Sequence, residues 1–139
     1  MSRRRERSMT GLKFFRCKRC GKVVLEVVET GVVPTCCGEP MELLAANTTD
    51  GAHEKHVPVI EPVGDGKRVR VRVGEATHPM LDKHYIQLIV IVRTDGTVEV
   101  RRLSPGEAPE AEFCLHGCPA ADVYELCNLH GLWKASYGA

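Results

Sequence analysis

Two groups of side chains in this 139-residue chain have the types and spacing of metal ligands. The first is Cys17-Lys18-Arg19-Cys20, followed by the adjacent pair Cys36-Cys37. Four converging thiolates make a soft tetrahedral site suited to zinc or a single iron. Side chains of adjacent cysteines diverge, so both reach one ion only if their turn is distorted. The second group is spread over four short segments: His53-Glu54-Lys55-His56-Val57-Pro58, His78-Pro79-Met80, Lys83-His84-Tyr85 and Cys127-Asn128-Leu129-His130-Gly131. Neutral imidazoles suit iron, copper, nickel or zinc, and an added thiolate donates electron density and favours a redox metal. One such histidine would be an ordinary polar side chain. Several of them together with a Cys-x-x-His loop point to a centre.

The chain carries seven Cys and six His in all. An odd cysteine count fits poorly with complete disulfide pairing. The basic run Ser2-Arg3-Arg4-Arg5-Glu6-Arg7-Ser8 has no apolar stretch after it, so it does not read as an export signal. The expected compartment is the cytoplasm, where thiols stay reduced and serve as metal ligands. Cys114-Leu115-His116-Gly117-Cys118 offers three more donors without an evident fourth. It is expected to be a loop with two free thiols, with a reversible disulfide or a third metal site as alternatives.

Formal net charge is +1, and the Arg-rich run supplies more than that, leaving the rest of the chain at −2. Near-neutrality argues against a dedicated nucleic-acid binder. No apolar run approaches the roughly 18 residues that a membrane-spanning helix needs. Hydrophobic residues at 43% allow a core, while aromatics are only 5%.

The elements that must position these ligands are read as strands. Residues 1–11 are expected to be a disordered basic tail. Residues 12–46 form a small block with apolar runs at Val23-Val24-Leu25 and Val27-Val28, punctuated by Gly21, Gly31, Pro34, Gly38 and Pro40. Asn47-Thr48-Thr49-Asp50-Gly51 reads as a linker opening the second block, 47–139. There, Lys67-Arg68-Val69-Arg70-Val71-Arg72-Val73 alternates strictly, which places three Val on one face and three Arg on the other. Ile86 to Val92 and Val98-Glu99-Val100 flank Asp95-Gly96 and read as a hairpin. No stretch has the apolar period of a long helix. The expected fold is all-β, a metal knuckle followed by a β-sandwich.

Phe15-Arg16-Cys17-Lys18-Arg19-Cys20-Gly21 with Thr35-Cys36-Cys37-Gly38-Glu39-Pro40-Met41 resembles the desulforedoxin domain, a rubredoxin-like unit. Glu54-Lys55-His56-Val57-Pro58, His78-Pro79-Met80, Lys83-His84 and Cys127-Asn128-Leu129-His130-Gly131 resemble the catalytic domain of superoxide reductase. Together, over residues 12–135, the chain resembles the desulfoferrodoxin family, the two-iron class. The resemblance implies an immunoglobulin-like sandwich and two non-heme irons, one held by Cys17, Cys20, Cys36 and Cys37. The other would have His56, His78, His84 and His130 as equatorial ligands and Cys127 as the axial thiolate. It also implies an oxidoreductase that reduces superoxide to hydrogen peroxide, with Lys55 attracting the anion and Glu54 occupying the sixth position of ferric iron. Rubredoxin or a similar small protein would supply electrons, and a homodimer is expected. His53 is not a ligand of the family, and Trp133 is expected to be core packing. Two other readings carry less of the pattern: an iron electron carrier without catalysis, and a zinc-ribbon module whose Arg tail binds nucleic acid.

Overall fold

Alternation in the sequence becomes alternation in space. In the computed structural model, which describes residues 11–48 and 53–138, the Arg68–Val73 strand buries Val69, Val71 and Val73. Its arginines turn outward to Glu112 and Glu61, with N–O distances of 3.2, 3.4 and 3.5 Å. These pairs are solvent-exposed and add little stability. The basic run at 2–8 and most of the linker, residues 49–51, lie outside the described residues. No helix among the described residues is long and apolar enough to cross a membrane.

The chain divides into two compact units at Ala45/Ala46. In the first, β1 (Phe14–Arg16) pairs antiparallel with β2 (Val23–Leu25) and with β5 (Glu42–Leu43). β3 (Thr35–Cys36) and β4 (Glu39–Pro40) form a separate ribbon. Phe15, Cys17 and Met41 are its buried cluster, with Val24 and Cys36 packed on it. Val27 and Val28, which read as strand, lie instead in an exposed bend without a ladder partner among the described residues. Their β-branching favours extended backbone, but a strand needs a neighbour to satisfy its amides.

The second unit is the expected immunoglobulin-like β-sandwich. One sheet has β6 (Pro58–Val63), β7 (Arg68–Val73) and β10 (Glu110–Cys114) in the order β10-β7-β6. The other has β8 (Ile86–Arg93), β9 (Val98–Arg102), β11 (Ala120–Cys127) and β12 (Gly131–Gly138) in the order β12-β11-β8-β9. β8 and β9 pair from Val92–Val98 onward around Gly96, as the Asp-Gly signal predicts. The core between the sheets includes Val69, Val71, Val73, Ile86, Ile89, Ile91, Phe113 and Val123. One helical turn, α1 (His53–His56), departs from the all-strand reading of this block. It stops before Val57-Pro58, because the proline ring disfavours helical backbone at the residue ahead of it. Asn47, read as linker, is docked on β12. Its amide N–H donates to the Leu132 carbonyl at 2.9 Å, and its side chain exchanges hydrogen bonds with the Lys134 backbone.

Glu125 sits in the middle of β11, fully buried, in register with Trp133 on one side and Ile89 on the other. Neither carboxylate oxygen has a hydrogen-bond partner among the described residues. Burial therefore pushes its pKa well above the ordinary carboxylate range, and the folded state holds it protonated. A raised folded pKa gives stability that is full below about pH 4.5, the unfolded value, and is lost as pH rises. Glu125→Gln is expected to match the wild type near pH 4 and to exceed it by about 1–3 kcal/mol at pH 7. Urea unfolding midpoints at the two pH values measure the difference; equal offsets at both would contradict it.

Candidate metal centres

The first centre is built by two turns. Cys17 follows directly on β1, and the Cys17-Lys18-Arg19-Cys20 turn closes through Gly21 N–H to the Cys17 carbonyl at 3.0 Å and Cys17 N–H to the Lys22 carbonyl at 2.9 Å. The Cys20 amide points at the Cys17 sulfur, 3.5 Å away. Across from it, Cys37 adopts left-handed backbone with φ 53°, followed by Gly38 at φ 79°. This is the distortion that an adjacent cysteine pair requires, and it turns both sulfurs the same way. The Cys36 Sγ lies 3.7 Å from Cys20 Sγ and 3.9 Å from Cys37 Sγ, and all four sulfurs fall within 4.8 Å of one another. Arg19 and Glu39 tie the two turns together at 3.0 Å.

The electrostatics of these four sulfurs are those of a cation site. The Cys20 backbone amide leads in lowering the Cys17 pKa to about 6, so one sulfur is already a thiolate at neutral pH. Hydrogen bonding toward Cys17 leads in pushing Cys37 up to about 12, and contact with Cys20 raises Cys36. A second and third negative charge are therefore unfavourable in this space unless a cation compensates them.

The second centre gathers side chains from four places in the sandwich. His56 ends α1 and is buried. His78 follows the turn after β7, where its N–H donates to the Val73 carbonyl at 3.2 Å, and it is buried too. His84 closes a tight turn in which Leu81 and His84 exchange backbone hydrogen bonds of 2.9 and 3.0 Å. Cys127 ends β11 and is fully buried, and His130 lies in the turn to β12. The β11–β8 register slips at Cys127, which faces Ile86 while Leu126 faces Leu88, so Gln87 is bulged out. A bulge of this kind re-aims the side chain at its edge.

The four imidazoles form a closed ring of neighbours. Centroid separations run 4.7 Å from His56 to His78, 4.7 Å to His84, 5.1 Å to His130 and 4.8 Å back to His56. Each ring stands at 73–80° to the next. The His78 Nδ1–H donates to the Pro79 carbonyl at 2.7 Å, which leaves the Nε2 lone pair facing His56 Nε2 at 3.2 Å. His130 Nδ1 is 3.1 Å from the same His56 atom, and Cys127 Sγ is 3.8 Å from His130 Nδ1. One proton on His56 Nε2 satisfies only one of its two imidazole neighbours, so the other contact sets lone pair against lone pair. The Nε2 of His84 is buried without a hydrogen-bond partner among the described residues. A cation at the centre relieves both defects, and the donors present fit one. Burial leads in lowering His78 to about 4, and burial followed by the charges of His130 and Lys55 lowers His84, so both are ready as neutral ligands. His56, His84, Cys127 and His130 place their donor atoms within 4.8 Å of one another, and His78 joins them through His56.

Lys55 is exposed beside His56, close enough for its charge to act on His84. Glu54 belongs to the same helical turn by its backbone, and its side chain lies outside the described residues, as does that of His53. Trp133 is buried as expected, and it also stacks on His56 at 4.9 Å and donates its indole N–H to the His130 carbonyl at 3.0 Å.

Sequence reasoning missed the Asn128 side chain. It accepts from Tyr85 N–H at 2.9 Å and donates to the Lys83 carbonyl at 3.0 Å, while its backbone N–H reaches the Tyr85 carbonyl at 3.1 Å. Asn128 thus latches the His84 turn to the Cys127–His130 loop. The only cue was its place between two candidate ligands. Asn128→Ala is expected to weaken metal retention at this centre by about 10–100-fold while leaving the four-cysteine centre unchanged. Chelator competition followed at each centre's own absorption band measures both.

The family model described as Desulfoferrodoxin matches residues 48–136. Desulfoferrodoxin from Nitratidesulfovibrio vulgaris is 46% identical over 123 residues, spanning 88% of this chain and 94% of that protein. The superoxide reductase of Pyrococcus horikoshii is 35% identical over 103 residues, 61% of this chain and 87% of its own. Among solved structures, the superoxide reductase from Treponema pallidum superposes with a TM-score of 0.72 at 32% identity, covering 90% of this chain and 98% of its own. With one cluster of candidate ligands in its small first unit and another on its β-sandwich, the chain belongs to the desulfoferrodoxin family.

Proposed function

We propose that this protein is a superoxide reductase, which reduces superoxide by one electron and releases hydrogen peroxide after two protons are added. The observation that carries this reading is the ring of four imidazoles with a buried thiol at one side and an exposed lysine nearby. Ferrous iron held by His56, His78, His84, His130 and Cys127 would supply the electron and one open coordination position.

The chain's own residues do the rest. Lys55 draws the anion inward and offsets the negative charge that grows on oxygen during reduction. Glu54 would offer a carboxylate, a hard ligand that suits the ferric state. Water ordered near the Lys55 ammonium delivers protons. Cys127, fully buried at the end of β11, would supply thiolate electron density. Asn128 and Trp133 hold the rings in place. The four-cysteine cluster holds the second iron, the natural entry point for an electron from a small donor such as rubredoxin. Exposed Val27, Val28, Val32 and Val33 on the first unit suit contact with a second copy, giving a homodimer. The reduced thiols that both sites need fit a cytoplasmic location.

Pulse radiolysis of the reduced, iron-loaded protein tests the reading. The expected result is second-order oxidation of the centre by superoxide near about 10⁹ M⁻¹s⁻¹, with peroxide as product and turnover that stops when reductant is exhausted. Sustained oxygen release without any reductant would identify a dismutase and overturn it.

A further inference from the structure

Two cysteines belong to neither centre. Cys114 is the last residue of β10 and Cys118 stands just before β11, so they flank the loop that carries the chain from one sheet to the other. Both are free and half-buried. Between them His116 and Gly117 both adopt left-handed backbone, φ 53° and 77°, and Cys118 N–H closes the turn onto the Leu115 carbonyl at 2.9 Å. Such a closure brings the Cα atoms of Leu115 and Cys118 within about 7 Å. Leu115 is buried in the sandwich core and anchors the turn.

Each sulfur has a distinct neighbour. The Cys114 Sγ accepts from His116 N–H at 3.4 Å, which folds that side chain back over the turn. The Asp95 carboxylate, in the neighbourhood of Cys118, receives Thr97 N–H and Oγ–H at 3.0 and 2.7 Å. Beneath them, buried Arg93 donates Nε–H to the Cys114 carbonyl at 2.8 Å and pairs with Glu99 at 2.6 Å. Thr94 N–H reaches the Ala120 carbonyl at 3.3 Å. The β8–β9 turn thus clamps both ends of the loop, a patch that carries the two half-buried thiols four residues apart. His116 does not complete a metal site here, since no cluster of three donors forms around these cysteines among the described residues. The patch lies at the end of β11 opposite Cys127, roughly 20 Å along the strand.

We propose that Cys114 and Cys118 form a peroxide-oxidisable dithiol, a redox site separate from both metal centres. Hydrogen peroxide oxidises Cys114 first, because its sulfur is the one that receives a backbone amide hydrogen bond, from His116. The O–O bond breaks, water leaves and Cys114 becomes a sulfenic acid. Cys118 sulfur then attacks the Cys114 sulfur, its proton departs with the hydroxyl as a second water, and the S–S bond forms. In balance, one peroxide and two thiols give one disulfide and two waters. The oxidant is the product under the proposed function, so the site would register the enzyme's own output.

Peroxide is added directly to the iron-loaded full-length protein, so the result does not depend on whether superoxide is reduced. After stoichiometric peroxide, alkylation without reductant and peptide mapping should find the 103–134 peptide two hydrogens lighter, with Cys114 and Cys118 untagged and joined. Thiol reductant should restore both tags. C118S should stop at the sulfenic acid and take up dimedone at Cys114, whereas C114S should leave Cys118 alkylatable. Tags retained on both cysteines in the wild type, a disulfide to Cys127 instead, or dimedone labelling at Cys118 in C114S would each overturn the proposal. So would zinc uptake lost on C114S at otherwise intact centres, which would mark the patch as a metal site.

Discussion

Cys127→Ser is expected to lower metal retention at the histidine centre on the order of 100-fold or more and to remove that centre's thiolate-to-metal absorption, with the four-cysteine band intact. The reasoning starts from burial. Cys127 is fully buried at the bulged end of β11, so a serine there keeps the shape but offers a hydroxyl that stays protonated at neutral pH. A donor set of neutral imidazoles alone then faces the cation without a negative ligand. Outer partners of a metal ligand already change affinity by about 10–100-fold, and loss of an anionic ligand exceeds that. Metal analysis after dialysis against chelator, together with the visible spectrum, reads the outcome. Retention of both band and metal would remove Cys127 from the ligand set.

Lys55→Ala is expected to slow the reaction with superoxide about tenfold at low ionic strength and to flatten its dependence on salt. Because the rest of the chain beyond the Arg-rich run is net −2, attraction for an anion has to be local. Lys55 is the exposed cation beside His56, and its field is felt at His84. Lys55→Arg should keep the salt dependence while shifting the absolute rate, which separates charge from shape. Pulse radiolysis across a salt series makes the measurement. An alanine variant with the wild-type rate and slope would assign the steering elsewhere.

Much of the fold could be read directly because its determinants are local. A strand such as β7 announces itself by period-two valines, and the β8–β9 hairpin by Asp95-Gly96. Four short motifs likewise drew attention to the histidines, and their resemblance to superoxide reductase singled out the four that the structure brings into one ring. What escaped depends on partners far away in sequence. Gln87 is bulged because of how β11 lies against β8, and the left-handed Cys37 is a property of a turn fitted across from another turn. Asn128 reaches residues 83 and 85, more than forty positions back along the chain. Buried Glu125 and Arg93 violate the rule that charged residues lie outside, and only the register of the sheets reveals them. Val27-Val28 misled in the other direction, since propensity cannot say whether a neighbouring strand exists.

The ring of imidazoles also bears on how the chain finds its shape. His56 and His130 touch at 3.1 Å although 74 positions separate them, and the other two members come from turns between. Any ion joining them closes nested loops of the chain, much as a covalent bridge does, and a loop of this length restricts the unfolded ensemble by about 4 kcal/mol. Strand pairs β8–β11 and β11–β12 carry the long ladders of the sandwich and do not depend on that closure. Loss of the ion would accordingly loosen the four ligand-bearing turns first and leave the ladders protected, so that amide exchange would divide the domain into a firm middle and a fraying pole.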